Sequence, residues 1–326
     1  MTTIPAAHFN LASLPRGARH RLRLTFDTPS RQLGFNLLVA RGANPGPVLL
    51  VSAGVHGDEY EGVQAIFDTW KMLEPAAMQG DFIAVPALNE PALRNRTRTS
   101  PLDEMNLARV FPGNPNGTPS EALAWYFDQY VLACATLYVD LHSAGVLCEM
   151  PALAGYDASD TRSLDAATVF GAPVLWGHPN IPAGRTVSAA KARDIPAIYV
   201  EARGAGRIHP ADLEVYRRGL RNLLHYLGIL SGAPEPCAAE LHLFGDGNID
   251  ESITASADGF LVPAVTILQP VEPGELLGQL LDFSGELIED YRASRAGRVA
   301  LIHACPLTHA GEPVFLVTGA LATARP

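Results

Sequence analysis

Residues 1–230 alternate between strand-like and helix-like runs, and that alternation restricts the chain to few architectures. "HRLRLTF" and "LGFNLLVARG" read as an antiparallel pair. "GPVLLVSAG" is almost continuously apolar, as a strand covered on both faces must be. "EGVQAIFDTWKML" follows with helical spacing, and "GDFIAVPAL" is the next strand. "PSEALAWYFDQYVLAC" predicts a helix with Ser120 as its N-cap, and "ATLYVDLHSAG" predicts a strand ending in polar residues. Further strands are expected at "APVLWG" and "IPAIYVEA". "HPADLEVYRRGLRNLLHYLGIL" is amphipathic and predicts a helix from just after Pro210 to near Gly232. The expected fold class is therefore α/β, with helices flanking a mostly parallel mixed sheet. In such sheets, sites form beyond the carboxyl ends of the strands.

The pattern changes at the Gly/Pro-rich stretch 231–236. After residue 238 come short β-like runs with turn signals, among them "LHLFGDG", "ESITASADGFLVPAV" and "GEPVFLVTG", with no helical period. The expected organisation is a catalytic domain over 1–235 and a small all-β domain over 238–326. A length of 326 residues fits one large and one smaller domain. At 48% hydrophobic and 18% charged residues the chain can bury a substantial core. A net charge of −10 argues against a nucleic-acid partner. No apolar run is long enough for a membrane span, and the N-terminus lacks a basic region followed by an apolar one. Four scattered cysteines without C-x-x-C spacing suit reduced thiols. A cytoplasmic protein with no nucleic-acid or membrane partner is expected, and a homo-oligomer stays open.

The polar residues of interest stand at strand ends. His56 and Glu59 follow one strand in "AGVHGDEYEG". Asp140, His142 and Ser143 end another in "VDLHSAG", and Glu201 ends a third in "YVEARGAGR". Two imidazoles and a carboxylate form a known zinc ligand set that leaves a position for water. His56 and Glu59 can hold one ion from a single turn, and His142 can supply a third ligand from a neighbouring strand. Asp140 shares a face with His142 and can orient a ligand histidine. Glu201 can take a proton from water and pass it to a leaving nitrogen. An arginine of the long loop, where Arg94, Arg96, Arg98 and Arg109 lie, can polarise a carbonyl or clamp a carboxylate. The other reading is plain: hydrogen-bonded loop histidines, a salt-bridged glutamate and a solvated arginine face.

"GVHGDEYEG", "TRTSPLDEMNLARVFPG", "VDLHSAG" and "VEARGAGR", in that order, resemble the succinylglutamate desuccinylase/aspartoacylase family, which has a zinc-carboxypeptidase-like fold. "ASADGFLVPAVTILQPVEPGELLGQLLD" looks like the β-domain of the subgroup that includes N-acetyl-diaminobutyrate deacetylases. The resemblance implies one Zn2+ per chain on His56, Glu59 and His142, with Glu201 as general base and acid. It implies that Arg98 polarises the scissile carbonyl and that Arg109 binds the substrate carboxylate. The family pattern reads N-L-N-R before F-P-G, and here Ala108 replaces an asparagine that helps Arg109. Losing a charge-assisted bond of that kind costs roughly 1.5–3 kcal/mol where it is made. Asn106 is a candidate substitute.

The expected function is a zinc-dependent amidohydrolase that removes an acyl group from an N-acylated amino acid or related small amine. Two alternatives stand beside it: a metallocarboxypeptidase on short peptides, and an inactive small-molecule binding protein. His178, His209, His225, His242, His303 and His309 match no motif and are expected to be structural or at the surface. Cys148 and Tyr156 are candidate pocket residues, with a packing role expected for the thiol.

Overall fold

The structure, a computed structural model, describes residues 1–28, 31–245 and 247–319, and the backbone of Leu321–Ala322. Its main sheet has eleven strands. In spatial order they are Thr2–Pro5, Ala18–Asp27, Gln32–Arg41, Gln79–Val85, Asn44–Ala53, Leu137–Leu141, Ala197–Glu201, Leu153–Asp157, Val174–His178, Leu241–Phe244 and Leu321–Ala322. Six of the ten neighbouring pairs are parallel, so the sheet is mixed and mostly parallel as the alternation implies.

Alternation along the central strands feeds two cores. Leu49, Val51 and Ala53 face one layer, with Leu137, Val139 and Leu141 beside them. Helices Glu61–Met72, Thr161–Phe170 and Pro210–Tyr226 cover that face through Ile66, Trp70, Phe170, Tyr216 and Leu220. Val48, Leu50 and Tyr138 face the other layer, covered by Pro119–Tyr130 and Thr186–Ala192. Fully burying a leucine or phenylalanine side chain stabilises by roughly 1.5–3 kcal/mol. These rows therefore outweigh helix propensities of a few tenths per residue.

Two helix ends differ from the sequence reading. Thr118, not Ser120, caps Pro119–Tyr130, in a capping box with Glu121. Proline suits the first helical position, which moves the cap one residue before Pro119. Ser120 lies inside the helix, and its hydroxyl donates to Asp103. The last helix stops at Tyr226 rather than near Gly232, because Leu227 caps it and Gly228 turns to φ +69°.

After Leu241–Phe244, the chain builds two small sheets around a third core that includes Leu261, Leu277, Leu280, Tyr291 and Phe315. The only helical element among the described residues there is the 3-10 turn Ile249–Glu251. Strand Gly297–His303 of this part pairs back onto Cys148–Glu149, just past His142. Among the described residues, no helix is long and apolar enough to cross a membrane.

Candidate metal centre and cavity

Three parallel neighbours at the middle of the sheet, Asn44–Ala53, Leu137–Leu141 and Ala197–Glu201, end at the same edge. That edge carries His56, His142 and Glu201. Register brings Ser52, Asp140 and Tyr199 into one row across the three strands. The turn holding His56 is pinned from outside. Gly57 N–H donates to Thr97 O at 3.0 Å, and Asn89 Nδ2 donates to Val55 O at 3.3 Å. A Cβ on Gly57 would collide with the backbone of Ala92 and Leu93, so only glycine fits there.

The carboxylate of Glu59 lies between two imidazoles. His56 Nδ1 is 2.7 Å from Oε1 and His142 Nδ1 is 2.9 Å from Oε2. The outer nitrogens are both engaged: His142 Nε2 with Asp140 Oδ2 at 2.8 Å, and His56 Nε2 with Asn106 Oδ1 at 3.1 Å. Asp140 is itself fixed by hydroxyls, from Ser52 at 2.6 Å and from Thr186. Asn106 also accepts from Ala108 N–H at 2.9 Å. Arg98 donates to Glu59 Oε1 at 3.2 Å.

Burial opposes charge on Glu59, yet His56 and His142 beside it hold the carboxyl far below its usual range. Burial pushes His142 down as well, but Asp140 and Glu59 outweigh it and raise the imidazole well above normal. For His56, burial and then Arg98 lower the value. The site thus carries a buried anion between the Nδ1 atoms of two imidazoles. The donor atoms of His56, Glu59 and His142 all lie within 4.8 Å of one another. Their chemistry fits a divalent transition metal, zinc included, and the engaged outer nitrogens leave each Nδ1 as the ligating atom.

Glu201 is in the same cavity, with Oε2 buried and without a hydrogen-bond partner. Burial pushes its carboxyl up to about 8, against the pull of His142. The cavity measures about 300 Å³ and is also lined by Arg98, Ala108, Arg109, Arg185, Trp176 and Tyr199. Arg109 is held bidentately by Asp250, with Nε at 3.0 Å and NH2 at 2.7 Å.

Several lining residues carried no motif. Tyr199 stands two residues before Glu201, and strand periodicity alone puts both on one face. His178, grouped with the structural histidines, is in the wall. Its Nδ1 meets Gly245 O at 3.2 Å, and that bond assigns the proton to Nδ1. Nε2 therefore accepts from the Tyr199 hydroxyl at 2.7 Å. His178 also stacks on Trp176, with ring centroids 5.4 Å apart. Arg185 starts the helix Thr186–Ala192 as its N-cap residue and donates to Asn248 Oδ1 at 3.0 Å; nothing in its sequence context marked it. Cys148 is buried and is not in the cavity lining; burial pushes its thiol up to about 12. Tyr156 is likewise outside that lining, paired with His242 at 2.8 Å.

Residues 45–227 match the succinylglutamate desuccinylase/aspartoacylase catalytic domain. The N-alpha-acetyl-L-2,4-diaminobutyric acid deacetylase of Halomonas elongata is 33% identical over 274 residues, 81% of this chain and 79% of that one. The product-bound structure of the ectoine utilization protein EutE (DoeB) from Ruegeria pomeroyi is 30% identical, with a TM-score of 0.83 over 94% of this chain and 97% of that one. A succinylglutamate desuccinylase/aspartoacylase from Rhodobacter sphaeroides is 29% identical, with a TM-score of 0.80 over 93% of this chain and 96% of that one.

Proposed function

The chain belongs to the succinylglutamate desuccinylase/aspartoacylase family, a family of deacylases, and from that premise we propose that it is a zinc-dependent amidohydrolase acting on an N-acylated amino acid or related small amine. The observation that carries this reading is Glu201. A buried carboxyl, unpartnered at Oε2 and titrating near 8, shares one small cavity with a His/Glu/His donor set. Such pairing of a perturbed acid with metal donors is the signature of a hydrolytic site.

When bound at His56, Glu59 and His142, the metal supplies Lewis-acid polarisation of the acyl carbonyl and an acidified water. The remaining work falls to the chain. Glu201 takes a proton from the attacking water on one Oε and returns it to the departing amine nitrogen. Burial holds its carboxyl at about 8, close enough to neutrality for that exchange. Arg98 brings an N–H toward the carbonyl oxygen as negative charge builds there. Arg185 and Arg109 set the charge of the amine end, while Trp176, Met150 and Tyr199 exclude water. A cavity of about 300 Å³ suits a small substrate rather than a peptide.

The test is turnover by the zinc-loaded protein on a mass-resolved pool of N-acetyl, N-succinyl and N-formyl amino acids and short peptides. Release of free acid is expected, with Glu201→Gln slower by about 10²–10⁴-fold. Undiminished turnover in that variant, or release of C-terminal residues from the peptides alone, overturns the reading.

A further inference from the structure

A second cavity, of about 270 Å³, adjoins the metal cavity. Strand Ala197–Glu201 runs along both. Its alternate residues share one face: Glu201 lines the metal cavity, Ala197 lines the second, and Tyr199 between them lines both. Helix Thr186–Ala192 repeats that order from the other side. Thr186 lines the metal cavity, Lys191 the second, and Val187 both. Ile181 is also shared. The two spaces therefore stand in line between one strand and one helix, divided by Tyr199, Val187 and Ile181.

The tyrosine ring is fixed in that partition. Its hydroxyl donates to His178 Nε2 at 2.7 Å, and the two rings stack with centroids 5.7 Å apart. Gly155, opposite on the next strand, leaves the ring its room. The second cavity is aliphatic beside the partition, where Ile181, Val187, Ile195 and Ala197 line it. Its two cations are engaged by carboxylates. Lys191 meets Asp157 at 2.5 Å, and Arg162 meets Asp160 at 3.0 Å and Asp194 at 2.6 Å. With its charges so paired, the space suits an uncharged chain rather than an anion.

We propose that Tyr199 sets the length of acyl chain that the protein accepts, and that the second cavity is the space a longer unbranched alkyl chain takes once the ring is removed. The charged groups of the metal cavity, Arg98, Arg109, Arg185 and Glu251, suit the amino acid half of a substrate. The acyl chain is the half that the Tyr199, Val187 and Ile181 partition can bury. Along the strand Tyr199 stands about 6.6 Å from Glu201, and Ala197 about as far again. An acetyl or butanoyl group fits short of the ring, and an octanoyl group does not. This inference rests on the deacylase reading for its kinetics but not for its binding.

The experiment measures kcat/KM of zinc-loaded wild type, Tyr199→Phe, Tyr199→Leu and Tyr199→Ala on N-acetyl, N-butanoyl and N-octanoyl derivatives of the amine turned over fastest in the pool described above. In parallel, calorimetry measures binding of acetate, butanoate and octanoate. Wild type is expected to lose turnover between butanoyl and octanoyl. Tyr199→Ala should raise the octanoyl-to-acetyl ratio by about tenfold or more, since each methylene that enters an apolar space gains about fourfold. Tyr199→Leu should raise it less, and stands in if the alanine variant does not fold. Tyr199→Phe loses the bond to His178 but keeps the ring, so its chain-length profile should match wild type. If wild type deacylates none of the series, the deacylase reading fails for it and the calorimetry decides. Octanoate gaining on acetate in Tyr199→Ala or Tyr199→Leu, but not in Tyr199→Phe, upholds the partition. An unchanged profile in the folded alanine and leucine variants, a phenylalanine profile shifted as far as theirs, or wild type that takes octanoyl as readily as acetyl overturns it.

Discussion

Asp140 holds Nε2 of His142 at 2.8 Å and so turns the other ring nitrogen onto Glu59 at 2.9 Å. The carboxylate is fully buried and accepts from Ser52 and Thr186 at the same time. It fixes both the tautomer and the tilt of the ring.

Asp140→Asn should weaken metal binding by about 10–100-fold, because an amide cannot accept from all three donors without turning its own N–H groups on one of them. Competition against a chromogenic chelator measures this. Affinity equal to wild type would show that His142 needs no help from behind.

Adding zinc to chelator-stripped protein should raise its Tm. At a hundredfold excess over Kd the gain is about 2.7 kcal/mol. His56→Ala removes one of the three converging donors and should abolish most of the rise. A full rise in that variant would place the ion elsewhere.

The Glu201 carboxyl titrates at about 8 in the folded chain, against 4.5 for an ordinary glutamate. Between those values the folded state keeps a proton that the unfolded state has lost. Stability therefore falls as pH rises from about 4.5 to about 8, by up to about 1.4 kcal/mol per unit, and levels off above. Glu201→Gln removes this slope. In metal-free protein the variant should gain in Tm over wild type at pH 8.5 compared with pH 5. Parallel Tm curves across that range would contradict the assignment.

Gly155 lies directly opposite Tyr199 in the antiparallel pair with Leu153–Asp157. A Cβ there would land on the Tyr199 ring. Gly155→Ala should cost about 1–3 kcal/mol by overpacking and should also lower activity, since Tyr199 is in the cavity wall. Denaturant unfolding and turnover check the two effects. A stability loss with no change in turnover would detach Tyr199 from the site.

The sheet was legible from short-range signals, and the His56, Glu59 and His142 cluster from strand ends taken together with the family resemblance. A continuous apolar run must be a buried strand, and polar residues closing such runs must gather at one edge when the strands are parallel. His56, Glu59, His142 and Glu201 all follow that logic. Asp140 was legible by period two, and its partner in the structure is His142 itself. The rest of the cavity wall was not legible. Arg185 reaches it from a helix start, and Trp176 and His178 reach it from one strand, where period two puts both on one face but no motif marks either. The resemblance implies that Arg109 binds substrate, yet its partner here is Asp250, 141 residues away. A long-range ion pair leaves no periodic trace.

Backbone pairing of Gly297–His303 onto Cys148–Glu149 has a consequence for how such a chain can diversify. The segment that leaves His142 is itself a strand of the C-terminal sheet. Removing residues 238–326 would break hydrogen bonds within seven residues of His142, and would take Asp250 from Arg109 as well. A recombinant joined across that boundary keeps the frame of the site only where the incoming strand pairs with Cys148–Glu149 and an incoming carboxylate meets Arg109.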